Sequence, residues 1–282
     1  MDRKSGFTLI ELLVVIAIIA FLLAIIVPSL NTAKQMAGAI VCTSNEKQLL
    51  TAWIVYAEEN DSLLCSPSTV SYNPAGGDYH WVEGSTAKVT VEDEIYGLDP
   101  GASSGNQGIV GGALYPYYEN PEATHCPSDK RSNKPAPDAT SKMGGYRTYS
   151  LVRGAGGPGD EDAKKLSEIA VPASSYVIVE ENDSRGMNRG SWILSGTRDD
   201  PGLRDAFGIY HNMRSILGFA DGHAEKIVWK DDRTEEYSLA WQQGTIGEPG
   251  THTTPGYYTT DYHTDPPNQD IIWLWSHIAR KR

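Results

Sequence analysis

With 282 residues, 36 Asp and Glu against 24 Lys and Arg, and a net charge of -12, the chain repels phosphate backbones, and without an offsetting basic cluster nucleic acid is excluded as a partner. The length holds one membrane segment and one sizeable globular domain, and the acidity suits an outward-facing domain or one that attracts cations such as calcium. Cys42, Cys65 and Cys126 are too far apart for a zinc ribbon or a redox pair; an export-facing domain could hold one disulfide, with three pairings open.

The first element is residues 7–27, FTLIELLVVIAIIAFLLAIIV, whose apolar length matches the roughly 20 residues that cross a bilayer as a helix. Arg3 and Lys4 precede it, which places the N-terminus in the cytoplasm and the remainder outside. A removed secretory signal fits poorly. Its small-residue pattern, Ala37-Gly38-Ala39, lies well beyond the apolar run, and the run exceeds the roughly 7–15 residues of a signal core. Glu11 is the single charge inside, and a carboxylate there needs a partner or a role. A free amine made by cleavage just upstream would be such a partner in an assembly.

The run from Lys4 to Val15, KSGFTLIELLVV, resembles the processing and methylation motif of type IV prepilins and type II secretion pseudopilins. The resemblance implies cutting by a prepilin peptidase after Gly6, methylation of Phe7, and neutralisation by Glu11 of a neighbouring subunit's N-terminal amine during assembly. Pro28 falls where such proteins often carry a helix-bending proline. The implied division is a leader at 1–6, a transmembrane helix at 7–29, its amphipathic continuation at 30–60, and an outward-facing α+β domain at 61–282. The implied fold is pilin-like, a long N-terminal helix packed on an antiparallel sheet with long loops. The expected partners are the peptidase, other pilin-like subunits and the inner membrane, in a pilus or a type II secretion system. A tethered module that captures polysaccharide is the alternative.

From Asn31 to Glu59, Ala33, Met36, Ala37, Ile40, Val41, Leu49, Leu50, Trp53, Ile54 and Ala57 recur at threes and fours, which predicts one long helix continuing from the membrane. The stretch from Asn60 to Asp162 is rich in Gly, Pro, Ser and Asn and reads as loops, with Lys88–Val91 as a strand and Ala113–Tyr118 as a helical or irregular aromatic stretch. Ala163–Ala170 reads as a short helix and Ser175–Glu180 as a strand. Asp221-Gly222 between two apolar runs predicts a hairpin. Asp231–Gln243 is an acidic-capped helix, Thr245–Pro267 a polar loop and Asp270–Arg280 a tryptophan-rich terminal helix.

His211 precedes Asp221-Gly222 by nine intervening residues, and this spacing resembles a subgroup of prepilin-processed proteins. Cys42 with Asn45, Gln48 and Tyr56, the run Cys126-Pro127-Ser128-Asp129, and Glu180 resemble the same subgroup, which leaves Cys65 without a counterpart; with Cys126 in a loop and Cys42 on the helix, a Cys42–Cys126 disulfide could pin that loop to the stem. Glu180, Asp183, His211, Asp221 and His223 at strand ends form either a structural polar set or an oxygen-rich calcium site. No nucleophile elbow, phosphate loop or HExxH pair occurs, so no catalytic residue is expected. Seven tryptophans and fifteen tyrosines invite a carbohydrate reading, although core packing explains aromatics more often.

Overall fold

A computed structural model describes residues 8–67, 80–82, 91–96, 108–133, 145–182, 191–196, 199, 201–243 and 267–281. The expected strand at Lys88–Thr90 and the loop at 245–266 lie outside the described residues. Helix α1 runs unbroken from Leu9 to Glu59, which at 1.5 Å per residue is about 76 Å. Pro28 sits inside it and removes one backbone donor; Thr32 Oγ1 in turn donates to the Pro28 carbonyl at 3.2 Å.

The two halves of α1 meet different surroundings. From Leu9 to Val27 the large apolar side chains stand exposed, in a stretch long and apolar enough to cross a membrane. Burial begins at Ala39 and then follows Cys42, Glu46, Leu49, Leu50, Trp53, Tyr56 and Ala57, a face at helical spacing. The expected stripe differs at its start, since Met36 and Ile40 are 61% and 72% exposed. The inward positions belong instead to Cys42 and Glu46.

That face lies on a five-stranded sheet of order β3-β1-β2-β6-β7, built from β1 (Tyr149–Val152), β2 (Tyr176–Glu180), β3 (Ser191–Trp192), β6 (Arg214–Phe219) and β7 (Ala224–Val228). The sheet is mixed rather than antiparallel throughout, because β1 and β3 pair in parallel. Strands β4 (Leu194–Gly196) and β5 (Pro201–Leu203) form a separate antiparallel ribbon. Gly218 of β6 admits the helix, since a Cβ there would stand 2.9 Å from Leu50 Cδ1.

The β6–β7 hairpin forms as the Asp-Gly signal predicts, but with three loop residues. Gly222 N–H donates to Phe219 O and Phe219 N–H to His223 O, and only Gly222 takes a positive φ, +96°. This is a type I turn closed by a glycine bulge. In β2 the register slips between Tyr176 and Ile178. Past the slip Tyr176 stacks on Trp273, while Ile178 and Glu180 share the α1 face with Gly218.

The short helices are α2 (Val91–Tyr96), α3 (Tyr115–Tyr118), α4 (Asp232–Gln243) and α5 (Gln269–His277). Val91 therefore starts a helix rather than ending a strand. Ala163–Ala170 is not a helix beyond a single 3-10 turn at Leu166–Glu168, because its backbone bridges to Leu63 and Ala155 on one side and Lys281 on the other. Gly156 holds one of these junctions, with φ +81° and its N–H donating to Ala163 O at 2.8 Å. A Cβ there would meet the Cys65 carbonyl oxygen at 2.2 Å. Gly156→Ala is expected to lower domain stability by about 3 kcal/mol, summing left-handed strain and a backbone clash. Urea denaturation followed by tryptophan fluorescence reads this directly, and a loss under about 1 kcal/mol would mean that the Cys65 segment yields.

Candidate functional site

Two places hold groups whose surroundings demand explanation: the free end of α1 and the junction where α1 meets the sheet. At the first, Thr8 is the helix N-cap, and it and Glu11 form a reciprocal capping box. Glu11 Oε2 accepts from Thr8 N at 2.8 Å and from Thr8 Oγ1 at 2.7 Å, while Glu11 N–H donates to Thr8 Oγ1 at 3.3 Å. The carboxylate in the apolar run is thus satisfied within its own chain. The Thr-x-x-Glu spacing announces this box in the sequence, a signal that a reading of Glu11 by its charge passes over. Gly6 and Phe7 lie outside the described residues.

At the second place, four buried side chains from four segments converge: Cys42 on α1, Cys126 after the 3-10 turn Pro121–Thr124, Glu180 at the end of β2 and His211 in the turn before β6. Their sulfur, nitrogen and oxygen ligand atoms all lie within 4.8 Å of one another. His211 Nε2 stands 2.9 Å from Glu180 Oε1 and 3.5 Å from Cys126 Sγ. Glu180 Oε2 also accepts from Ile216 N at 3.0 Å. Burial opposes a charge on His211, but the bonds to Cys126 and Glu180 and the Glu180 charge outweigh it and hold its pKa up at about 10. Burial pushes the Cys126 thiol far above its ordinary range.

One turn along α1 from Cys42, Glu46 is wholly buried and neither carboxyl oxygen has a hydrogen-bond partner. Burial, with the Glu180 and Cys126 charges as neighbours, pushes its carboxyl well above the usual range. His211 Nδ1 is likewise without a partner. Gly38 keeps this corner open, since a Cβ there would stand 2.6 Å from Ser128 Oγ and 3.9 Å from His211 Nδ1.

Two members of the expected polar cluster, Glu180 and His211, come together, and two do not. β2 and β6 are antiparallel, so the end of β2 lies beside the start of β6, where His211 is, whereas Asp221 and His223 sit at the other end, about 20 Å away along six residues of strand. There Asp221 Oδ1 and His223 Nδ1 pair with each other at 2.6 Å in an exposed turn. Asp183 lies outside the described residues. The three cysteines are free thiols. Cys42 and Cys126 are the neighbouring two, and Cys65 is buried elsewhere.

Beside this junction, Asp129 anchors the Cys126 loop. It accepts from Arg131 at both carboxyl oxygens and from Thr148 Oγ1 at 2.8 Å, and Thr148 Oγ1 in turn accepts from Cys126 N at 3.0 Å. Among the described residues the tryptophans belong to the core. Trp53, Trp81, Trp192, Trp229 and Trp241 are buried, and Trp273 and Trp275 pack partly buried against them.

The family described as the prokaryotic N-terminal methylation motif matches residues 1–27. The type IV wide pilus major component PilA4 of Thermus thermophilus is 42% identical over 62 residues, which are 22% of this chain and 47% of that protein. The chain thus spans about half the length of that relative. No solved structure matches. With the long apolar helix and the α+β sheet behind it, the chain is similar to type IV pilins: it carries a prepilin-type N-terminus and, among the described residues, one helix long and apolar enough to cross a membrane. Pilin-like proteins are structural rather than enzymatic.

Proposed function

We propose that this protein is a filament or pseudopilus subunit. Prepilin peptidase cuts after Gly6 and Phe7 is methylated. The chain rests in the inner membrane with its N-terminus in the cytoplasm and its sheet domain outside, and it then joins other pilin-like subunits through α1. The observation that supports this best is the contrast along α1, in which the stretch from Leu9 to Val27 is apolar apart from Glu11 and covered by nothing among the described residues. A helix of that kind is stable in lipid, and in a fibre it exchanges lipid contacts for contacts with the same segment of neighbouring subunits. An assembly motor would drive the extraction.

Intact-mass and N-terminal peptide analysis of the protein from its native membrane is the test. A chain that begins at N-methylated Phe7 and crosslinks to other pilin-like subunits is the expected result. An intact leader, or a cut near Ala39, would overturn the reading.

A further inference from the structure

We propose that Cys42, Cys126, Glu180 and His211 form a structural zinc site that fastens the stem helix to the sheet domain. The donor set is two thiols, an imidazole and a carboxylate, which suits a borderline-soft divalent ion and is wrong for calcium. Zinc bonds of about 2.0–2.3 Å in a tetrahedron place ligand atoms roughly 3.3–3.8 Å apart. The separations here, 2.9 Å for His211 to Glu180, 3.5 Å for His211 to Cys126, and all four atoms within 4.8 Å, bracket the size of such a tetrahedron. The wide sequence spacing that excludes a zinc ribbon does not exclude a site assembled from four distant segments.

The chemistry around the thiols favours a cation over a Cys42–Cys126 disulfide. A disulfide has no use for an imidazole and a carboxylate aimed at it, and it would leave them buried beside an apolar bridge. Glu46, one turn along α1 from Cys42, is a second buried polar group with both oxygens unpartnered. His211 Nδ1, opposite the coordinating Nε2, is open to an acceptor that would fix the ring, and Ser128 Oγ stands by Gly38 next to it. On binding, zinc displaces the two thiol protons and the Nε2 proton of His211, which pass to water, and the four ligands complete its shell. All four are buried, so the ion enters as the domain folds, and its binding energy becomes folding energy.

The test uses the full-length protein extracted in detergent without chelator or reductant from cells grown with added zinc. Elemental analysis is expected to find one zinc per chain, and alkylation followed by peptide mass spectrometry is expected to find Cys42 and Cys126 unlinked. Cys42→Ser and Cys126→Ser should drop the zinc to background, while Cys65→Ser keeps it. Should the serine variants fail to fold, cells grown with cobalt in place of zinc decide the matter on the unaltered chain. Sulfur-to-cobalt charge transfer with intense visible bands supports a tetrahedral thiolate site. A linked Cys42–Cys126 peptide overturns the proposal, as does a folded chain with neither zinc nor cobalt.

Discussion

Chains carrying Glu11→Ala are expected to be cut and methylated normally and yet to be absent from filaments. The carboxylate stands in an apolar helix, where an acidic group costs about 2.5–3.5 kcal/mol at the bilayer centre and less near the ends. In the isolated chain it is held by the capping box with Thr8. Alanine removes that charge and leaves a segment at least as content in lipid, so insertion and processing should survive. What alanine cannot supply is an acceptor for the amine that cleavage would create on a neighbouring subunit. The rival account is that Glu11 serves only as a helix cap, and Thr8→Ala separates the two. It removes the cap hydroxyl, worth about 0.5–2 kcal/mol of helix stability, and keeps the carboxylate. Comparing methylated chain in sheared fibres with that left in the membrane, Thr8→Ala should incorporate nearly as well as the unaltered protein and Glu11→Ala should not. Equal defects in the two variants would reduce Glu11 to a cap, and normal incorporation of Glu11→Ala would remove its role in assembly.

The features legible in the sequence are those fixed by solvent or by local backbone chemistry. Leu9 to Val27 reads as a membrane helix because lipid, not tertiary packing, selects it. Asp221-Gly222 reads as a turn because few residues other than glycine take the positive φ found at Gly222. The long helix continues past Pro28 as its periodicity predicts, and Leu49, Leu50, Trp53 and Ala57 are buried as expected, but the periodicity misplaces the start of the buried face. Met36, Ile40 and Val41 look inward by hydropathy and are exposed, while Glu46 looks outward and is wholly buried. A carboxyl that faces a cluster of thiols and an imidazole breaks the amphipathic rule, and only the tertiary neighbours explain it. The junction was half visible. Cys42, Cys126, Glu180 and His211 each stand out in the sequence, but their grouping depends on β2 and β6 running antiparallel, which local patterns do not encode. The same pairing sends Asp221 and His223 to the far end of the sheet, so a short spacing in the chain became a long one in space.

Asp129→Ala is expected to destabilise the outer domain by about 3–5 kcal/mol, the range for removing one member of a buried ion pair. Asp129 is 1% exposed and Arg131 is 7% exposed, and the carboxylate takes a bidentate grip on the guanidinium at 2.7–3.1 Å. Arg131 keeps its bond to the Arg147 carbonyl at 3.0 Å, but the core would lose the carboxylate that balances its charge at closest range. The loss also travels to the thiol loop. Asp129 N–H donates to Cys126 O at 2.9 Å to close that turn, and the Asp129 carboxylate orients Thr148, whose hydroxyl receives the Cys126 N–H. Asp129→Asn tests the charge apart from the shape, since the amide retains one acceptor oxygen and should fall between the unaltered protein and alanine. Urea unfolding followed by near-ultraviolet circular dichroism measures both variants without interference from the membrane helix, which has no tryptophan or tyrosine before Trp53. An alanine variant within about 1 kcal/mol of the unaltered protein would show that water reaches Arg131, and that the Cys126 loop is held by its backbone turn rather than by the carboxylate beneath it.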